Sequence, residues 1–363
     1  MIGIRPISTY LINVQSRQYV ADTQKRLQQA SQELATGLVA DAYESLGMSS
    51  AHSISLRSLL SQTEDFVTQN KVLMTKLDSQ AEALVKVREA AQQALDLAIQ
   101  SVLERTATTR TIQNEARAAI DRMVQALNVN LAGDFLFAGI HSDRVPVVQA
   151  NGDIPLSDEN EPIRSPLGVV TGIIGNLVSE AKQTPANEAE ARAVGDALKA
   201  FFASENSGGD NYEGTLYQGS VGAARRSARI DHNQTLEYGI QANDQAFTEI
   251  FRGLYMLASI NVADIENGDA YKAYMEEAVG AISGGIFQLQ DAESRLGSQQ
   301  QLLQQVQRRQ EDQAVILNNR VVAMEHVDPY DAQVRMTLLE TQLQATYNVS
   351  ARLGQMSFVH WMR

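Results

Sequence analysis

The stretch VDPYDAQVRMTLLETQLQATYNVSARLGQMSF, Val327 to Phe358, decides the fold of this chain. Asp328 is a residue type that caps the N-terminus of a helix, and Pro329 suits the first helical position. The same proline ends any helix that arrives from the N-terminal side, because it lacks a backbone donor. Beyond it, Leu339, Thr346 and Leu353 recur every seven residues, which is the spacing of a helix paired with another helix. The stretch therefore predicts a break at Asp328 and a final helix that needs a partner.

The N-terminal arm offers that partner, because Val20, Leu27 and Leu34 repeat with the same spacing. Further apolar stripes predict a helix from about residue 53 to 102, a third that reaches Leu131, a short one over 246–258 and a long one from about residue 269 to 324. A lone pair of narrow-striped helices buries little apolar surface, so the pair formed by the two chain ends should be marginal alone.

The middle of the chain changes character between residues 141 and 240. Five of the 7 prolines lie between Pro146 and Pro185, among glycines and polar turns. Residues 186–203 have the pattern of a helix, and ARRSARIDHNQTLEYGIQA alternates weakly, as strands do. We therefore predict a mainly α fold with an inserted β-rich or mixed domain, and a long antiparallel coiled-coil rod formed by both chain ends.

The predicted domains follow from these changes in pattern. Residues 1–42 and 328–363 form a terminal coiled-coil domain, residues 43–140 and 241–327 form a helical rod domain, and residues 141–240 form the inserted outer domain.

Composition excludes several classes of function. The formal net charge of −13 disfavours nucleic acid and anionic membranes as partners. The absence of cysteine excludes thiol catalysis and thiolate metal sites. No stretch approaches the roughly 18 apolar residues that a membrane helix needs. The N-terminus lacks the pattern of a cleaved signal peptide, so we expect any secretion to use another route.

No arrangement of residues predicts catalysis. The five histidines are scattered, and the sequence has no phosphate-binding glycine loop, nucleophile elbow or zinc-binding histidine pair. Acidic pairs such as Glu276 and Glu277 are better read as solvated helix faces. We therefore expect no enzymatic activity, no cofactor and no metal.

The apolar residues at the two chain ends exceed what two crossing helices can cover, and exposed apolar surface marks protein interfaces. Trp361, the single tryptophan, is of a type enriched among interface anchors. The predicted assembly interface consists of Ile7, Leu11, Val14, Val20, Leu27, Leu34, Leu339, Leu343, Tyr347, Val349, Leu353, Met356, Phe358 and Trp361.

Three stretches resemble the flagellin superfamily: RPISTY at residues 5–10, GDFLFAGIHSDRVP at residues 133–146, and the C-terminal stretch quoted above. Within that superfamily they look most like the hook-associated proteins that join hook to filament. Leu343 to Tyr347 and Ala351 to Leu353 match the family's tail pattern. The loop ATGLVADAYESLGMSS lacks a family S-D-D-P element, and the Trp361–Arg363 ending departs from the leucine-rich family ending.

The resemblance implies an extracellular structural protein of the bacterial flagellum that is exported unfolded and assembled at the growing tip. The implied partners are copies of itself in a ring, hook-associated protein one on the hook side, flagellin on the filament side and an export chaperone before secretion. Flagellin itself is an alternative, although LFAGIHSDRVP differs from the T-x-F-N-G element of flagellins. A cytoplasmic coiled-coil scaffold or signalling protein is another, but it would not need a proline-rich insert or the break at residues 327–330.

Overall fold

The computed structural model describes residues 9–41, 47, 50–103, 109–154, 164–178, 183–203, 211–222 and 225–361, with side chains at the two ends from residue 14 to residue 352. Its helices are α1 (Thr9–Thr36), α2 (Ser50–Leu103), α3 (Thr109–Leu127), α4 (Pro166–Leu177), α5 (Glu188–Phe202), α6 (Tyr212–Thr215), α7 (Gln245–Ser259), α8 (Gly268–Glu325) and α9 (Pro329–Trp361). The strands pair as two antiparallel hairpins, β1 (Asn130–Leu131) with β2 (Asp134–Phe135) and β3 (Arg226–Asp231) with β4 (Gln234–Tyr238).

The fold is mainly α with a small mixed insert, which confirms the predicted fold class. The predicted break is also present, because α8 ends at Glu325 and α9 begins at Pro329. The Asp328 side chain accepts a hydrogen bond from the Tyr330 N–H at 2.8 Å, as an N-terminal cap does. No helix among the described residues is both long enough and apolar enough to span a bilayer.

The described chain divides into two compact units. One comprises Met1–Asp65 and Arg309–Arg363, and the other comprises Phe66–Arg308. We call them the terminal unit and the central unit. The predicted domain boundaries at residues 42, 140, 240 and 327 stay a prediction.

The central unit has one large core to which α2, α3, α7 and α8 all contribute. Helix α7 is apolar on nearly every side, and residues such as Phe251, Leu254 and Tyr255 are fully buried. It approaches α8 closely because Gly253 and Gly285 present no side chain at the contact. Between α2 and α8, the Tyr271 hydroxyl donates to the Ser101 carbonyl at 2.9 Å.

The insert between residues 141 and 240 is mixed, with more helix than strand among its described residues. The predicted helix over 186–203 is present as α5, and the predicted strands are the β3–β4 hairpin. Helix α4 was not predicted, because its glycines and threonine read as interruptions of an apolar run. Ser165 caps its first turn and Pro166 occupies its start, so the local signals outweigh those glycines.

A tightly turned segment links α3 to the insert. The third predicted stripe included Leu131, but α3 ends at Leu127 and Leu131 belongs to β1. The Asn128 side chain holds the turn, because its amide donates to the Val147 carbonyl at 2.8 Å and its carbonyl accepts from the Val147 N–H at 3.0 Å. The chain then buries Phe137 completely.

Candidate assembly surface on the terminal helices

Helices α1 and α9 of the terminal unit pack against each other along their lengths. The Ser16 and Ser350 hydroxyls lie 2.7 Å apart, and the Arg335 guanidinium lies 3.1 Å from the Glu33 carboxylate. Because the residue numbers rise along one helix as they fall along the other, the two helices are antiparallel. The chain ends therefore form the antiparallel pair that the heptads predict.

Along each of the two helices, the covered residues at the contact between α1 and α9 are spaced alternately three and four residues apart, and we call this contact the seam. Its most covered positions hold small side chains, since Ala30 is 4% exposed and Ala332 is 0% exposed. Around them lie half-buried residues that the sequence assigned to the assembly interface: Val20, Leu27, Leu34, Leu339 and Leu343. These five are thus partly covered within the chain itself.

A second apolar face of α9 has no cover in the described structure. Tyr330, Val334 and Leu338 follow at intervals of four residues and are 76%, 50% and 65% exposed. Val349 lies eleven residues beyond Leu338, which returns it to the same side of the helix, and it is 57% exposed. We call Tyr330, Val334, Leu338 and Val349 the outer face; it runs for about 28 Å along the helix axis.

The other predicted interface residues divide as follows. Val14 and Tyr347 are exposed, although the Tyr347 hydroxyl accepts a hydrogen bond from the Gln24 amide at 2.8 Å. Leu11, Leu353, Met356, Phe358 and Trp361 lie in helical backbone, with side chains outside the described set, and Ile7 lies outside the described residues altogether.

Three residues of the outer face, Tyr330, Val334 and Leu338, are absent from the predicted interface. Their signal was present in the sequence as a second series of apolar residues four apart, displaced from the heptad positions. The heptad stripe of α9 does not include this series, because a helix that is covered on two sides carries two apolar stripes.

The base of the paired helices is fixed by a buried carboxylate. Glu325, at the end of α8, is 3% exposed and accepts hydrogen bonds from the Ser53 hydroxyl and from two nitrogens of Arg57. The hydrogen bond from Arg57 is the main reason that the pKa of Glu325 lies below its usual value. The Val39 N–H donates to the Glu325 carbonyl at 2.9 Å, which joins the chain after α1 to the same point.

Across the part of the chain that the structure describes, no group of three or more histidine, aspartate or glutamate side chains could hold a metal ion.

Comparisons with known proteins agree with this reading of the two chain ends. A model of the bacterial flagellin N-terminal helical region matches residues 7–142, and a model of the bacterial flagellin C-terminal helical region matches residues 279–362. No curated protein matches the chain.

The chain is also similar to solved structures. A Vibrio parahaemolyticus protein described as a flagellar hook-associated protein is 12% identical, with a TM-score of 0.49, over 76% of this chain and 96% of its own. FlgL of Bacillus cereus is 14% identical, with a TM-score of 0.44, over 76% of this chain and 100% of its own.

Proposed function

Because this chain belongs to the flagellin superfamily and is a structural component of the bacterial flagellum, we propose that it is the adaptor that joins the hook-associated protein zone to the flagellin filament. In this proposal copies of the chain form a ring, with hook-associated protein one on one side and flagellin on the other. The chain is exported unfolded, bound by an export chaperone beforehand, and folds outside the cell at the growing tip.

The observation that carries the proposal is the outer face of α9. An apolar strip with Tyr330 and Leu338 more than half exposed costs free energy in water, and the cost is recovered when another protein covers it. The C-terminal family model, which matches residues 279–362, includes the whole of α9, the helix that presents the strip. Assembly with copies of itself and with neighbouring axial proteins would cover this strip and the terminal aromatic residues Phe358 and Trp361.

The segment Leu136 to Pro146 favours the role of an adaptor over that of a filament subunit. Its sequence resembles the junction proteins and departs from the flagellin element at the corresponding place. The predicted roles of the three domains, with the insert outermost, belong to the same proposal.

Deletion of the gene in its host tests the adaptor role. We expect cells that make hooks without attached filaments and release flagellin monomers into the medium, and complementation with the wild-type gene should restore filaments. Filaments of normal length on the deletion strain would refute the adaptor role.

Two adjacent leucines test the outer face. Leu338 is 65% exposed on the outer face, whereas Leu339 is half-buried on the seam. Leu338→Ala should leave the stability of the purified chain within about 0.5 kcal/mol of wild type but reduce filament attachment in the complemented strain. Leu339→Ala should weaken the α1–α9 pair by about 1–2 kcal/mol, because it removes partly buried methyl groups.

The fraction of cells with filaments measures the effect of Leu338→Ala on attachment. Amide hydrogen exchange in α9 measures the effect of Leu339→Ala on the α1–α9 pair. Val72→Ala, at an exposed valine of the central unit, is the surface control. Normal filament attachment with both Leu338→Ala and Val334→Ala would show that the outer face is not an assembly surface.

A further inference from the structure

A trough lies between α2 and α3 on the surface of the central unit. Its volume is about 400 Å³, and its lining includes three alanines, Ala83, Ala90 and Ala126, that are each at most 7% exposed. Small side chains leave an apolar floor that a larger group can reach. The walls are charged and include two cations, Lys86 and Arg122, and the carboxylate of Glu89.

The cations are held in place at the rim of the trough. The Lys86 ammonium lies 2.7 Å from the Glu82 carboxylate, and Arg122 is paired with Glu115. Both cations remain accessible, with side chains 60% and 43% exposed. An aromatic ring on the alanine floor would therefore lie beside two positively charged groups, which favour the face of the ring.

Helix α8 presents such a ring on another part of the central unit. Phe287 is 67% exposed. One turn earlier, a side chain added at Gly284 would meet no atom within 4 Å, so the ring projects from a smooth helix surface. Gly285, which contacts α7, points to nearly the opposite side of the helix. No residue of α8 lines the trough, so Phe287 does not fill the trough of its own chain.

We propose that Phe287 of one copy inserts into the trough between α2 and α3 of a second copy. The charges near the two surfaces complement each other. Asp291, one turn beyond Phe287, would face Lys86 and Arg122, and Arg295, a further turn along, would face Glu89. An exposed aromatic side chain entering a pocket with a charged rim has the composition of an interface hot spot.

The projecting Phe287 side chain and the trough are different surfaces of the same unit, so the contact can be repeated head to tail. The proposal is this head-to-tail arrangement, in which each copy that joins leaves one Phe287 and one trough unoccupied and the copies form a closed ring or a filament, whereas a reciprocal pair would fill both. This inference rests on the proposed function in that it assigns a self-assembly contact to a structural subunit. It involves the central unit, so it is separate from the outer face of α9.

Engineered cysteines test the contact in the purified full chain, which has no cysteine of its own. Gly284→Cys, which lies one turn before Phe287 and keeps its ring, is mixed with a chain that carries Gln93→Cys or Gln125→Cys at the edge of the trough, and the mixture is oxidised mildly. We expect a disulfide-linked dimer of the two variants with at least one of the edge positions. A chain that carries both cysteines should give a ladder of multimers.

The matched control replaces Gly284→Cys with Val72→Cys, an exposed position on α2 outside the trough. Sedimentation of cysteine-free chains gives a second measurement, in which Phe287→Ala should weaken self-association by about tenfold, as loss of a central aromatic anchor does. No more dimer with Gly284→Cys than with Val72→Cys, or unchanged association of Phe287→Ala, would overturn the proposal.

The result is distinguishable from failure of the proposed function. The cross-linking uses purified protein and does not depend on flagella, whereas the adaptor role is decided by filament attachment in the deletion strain. Leu338→Ala should keep the cross-link between Gly284→Cys and the trough, because Leu338 lies in the terminal unit.

Discussion

Arg57 forms a two-point ion pair with Glu325, and its Nε lies 2.8 Å from the Glu325 Oε1 atom. The carboxylate is buried, whereas the Arg57 side chain is 57% exposed. The pair joins the start of α2 to the end of α8 within the terminal unit. Solvent screens Arg57, so the pair should stabilise that unit by about 1–2 kcal/mol rather than by the larger amount that a fully buried pair can give.

This pair predicts a loss of stability in acid. The pKa of Glu325 is below its usual value near 4.5, chiefly because Arg57 donates hydrogen bonds to it. A lowered pKa means that the stabilisation is complete above the usual value and is lost as the pH falls through the lowered one. The protection factors of amides in α1 and α9, which correct for the intrinsic pH dependence of exchange, should therefore fall below about pH 4.5. In the Arg57→Ala variant, the protection of these amides should depend less steeply on pH in this range. The same pH dependence in the variant and the wild type would contradict the stabilising role of the Arg57–Glu325 pair.

Adjacent glycines in α8 predict opposite effects of the same substitution. A Cβ atom at Gly285 would lie 2.8 Å from the Ala246 carbonyl oxygen and 2.6 Å from Ile250 in α7. Gly285→Ala should therefore destabilise the central unit by about 1–3 kcal/mol. Gly284→Ala meets open space and should stabilise it by about 0.5–1 kcal/mol through helix propensity. Denaturant unfolding measures both, and equal effects would show that α7 and α8 are not in close contact.

Alanine substitutions at two glycines before the insert allow the cost of backbone strain to be measured separately from the cost of a packing clash. Both have positive φ, 94° at Gly133 and 66° at Gly139. A Cβ at Gly133 meets nothing within 4 Å, so Gly133→Ala should cost about 1–2 kcal/mol for strain alone. At Gly139 the Cβ would overlap the Ser220 hydroxyl and approach the Gln241 amide at 2.9 Å. Gly139→Ala should therefore cost at least about 1 kcal/mol more than Gly133→Ala by thermal unfolding.

Two buried tyrosines predict opposite effects of removing a hydroxyl group. The Tyr274 hydroxyl donates to the Met256 carbonyl at 2.7 Å, whereas the Tyr255 hydroxyl is buried without a partner among the described residues. Burial raises the pKa of both groups, so both are neutral at physiological pH. Tyr274→Phe should cost about 1 kcal/mol, and Tyr255→Phe should be neutral or stabilising. Chemical denaturation of the two variants checks this, and a larger loss with Tyr255→Phe would reveal a partner for its hydroxyl.

Much of the fold could be predicted because its signals are local. The cap at Asp328 and the proline after it fix the start of α9 whatever surrounds them, and the sequence around residues 226–240 fixes a hairpin. Helix α4 was missed because an apolar run with three glycines resembles an interrupted segment unless the cap at Ser165 is taken into account.

The candidate surface could be predicted only in part. The heptad at Val20, Leu27 and Leu34 identifies one face of α1, but periodicity does not say which neighbour covers that face. The structure covers it with α9, and it leaves Tyr330 and Leu338 on the outside. The trough near Ala126 and the projecting Phe287 have no sequence signature, because each depends on how separate helices are placed.

The sequence by itself indicated most of the helices, the break before Pro329 and two striped chain ends that each need a partner helix. These properties follow from backbone preferences and repeat spacing, which act over a few turns of chain, whereas the likeness to flagellar structural proteins came from the resemblance of the three quoted stretches. Only the tertiary structure decided which apolar residues remain in water. Exposure depends on the packing of segments such as α1 and α9, which lie about three hundred residues apart in sequence, as in the contact between Ser16 and Ser350.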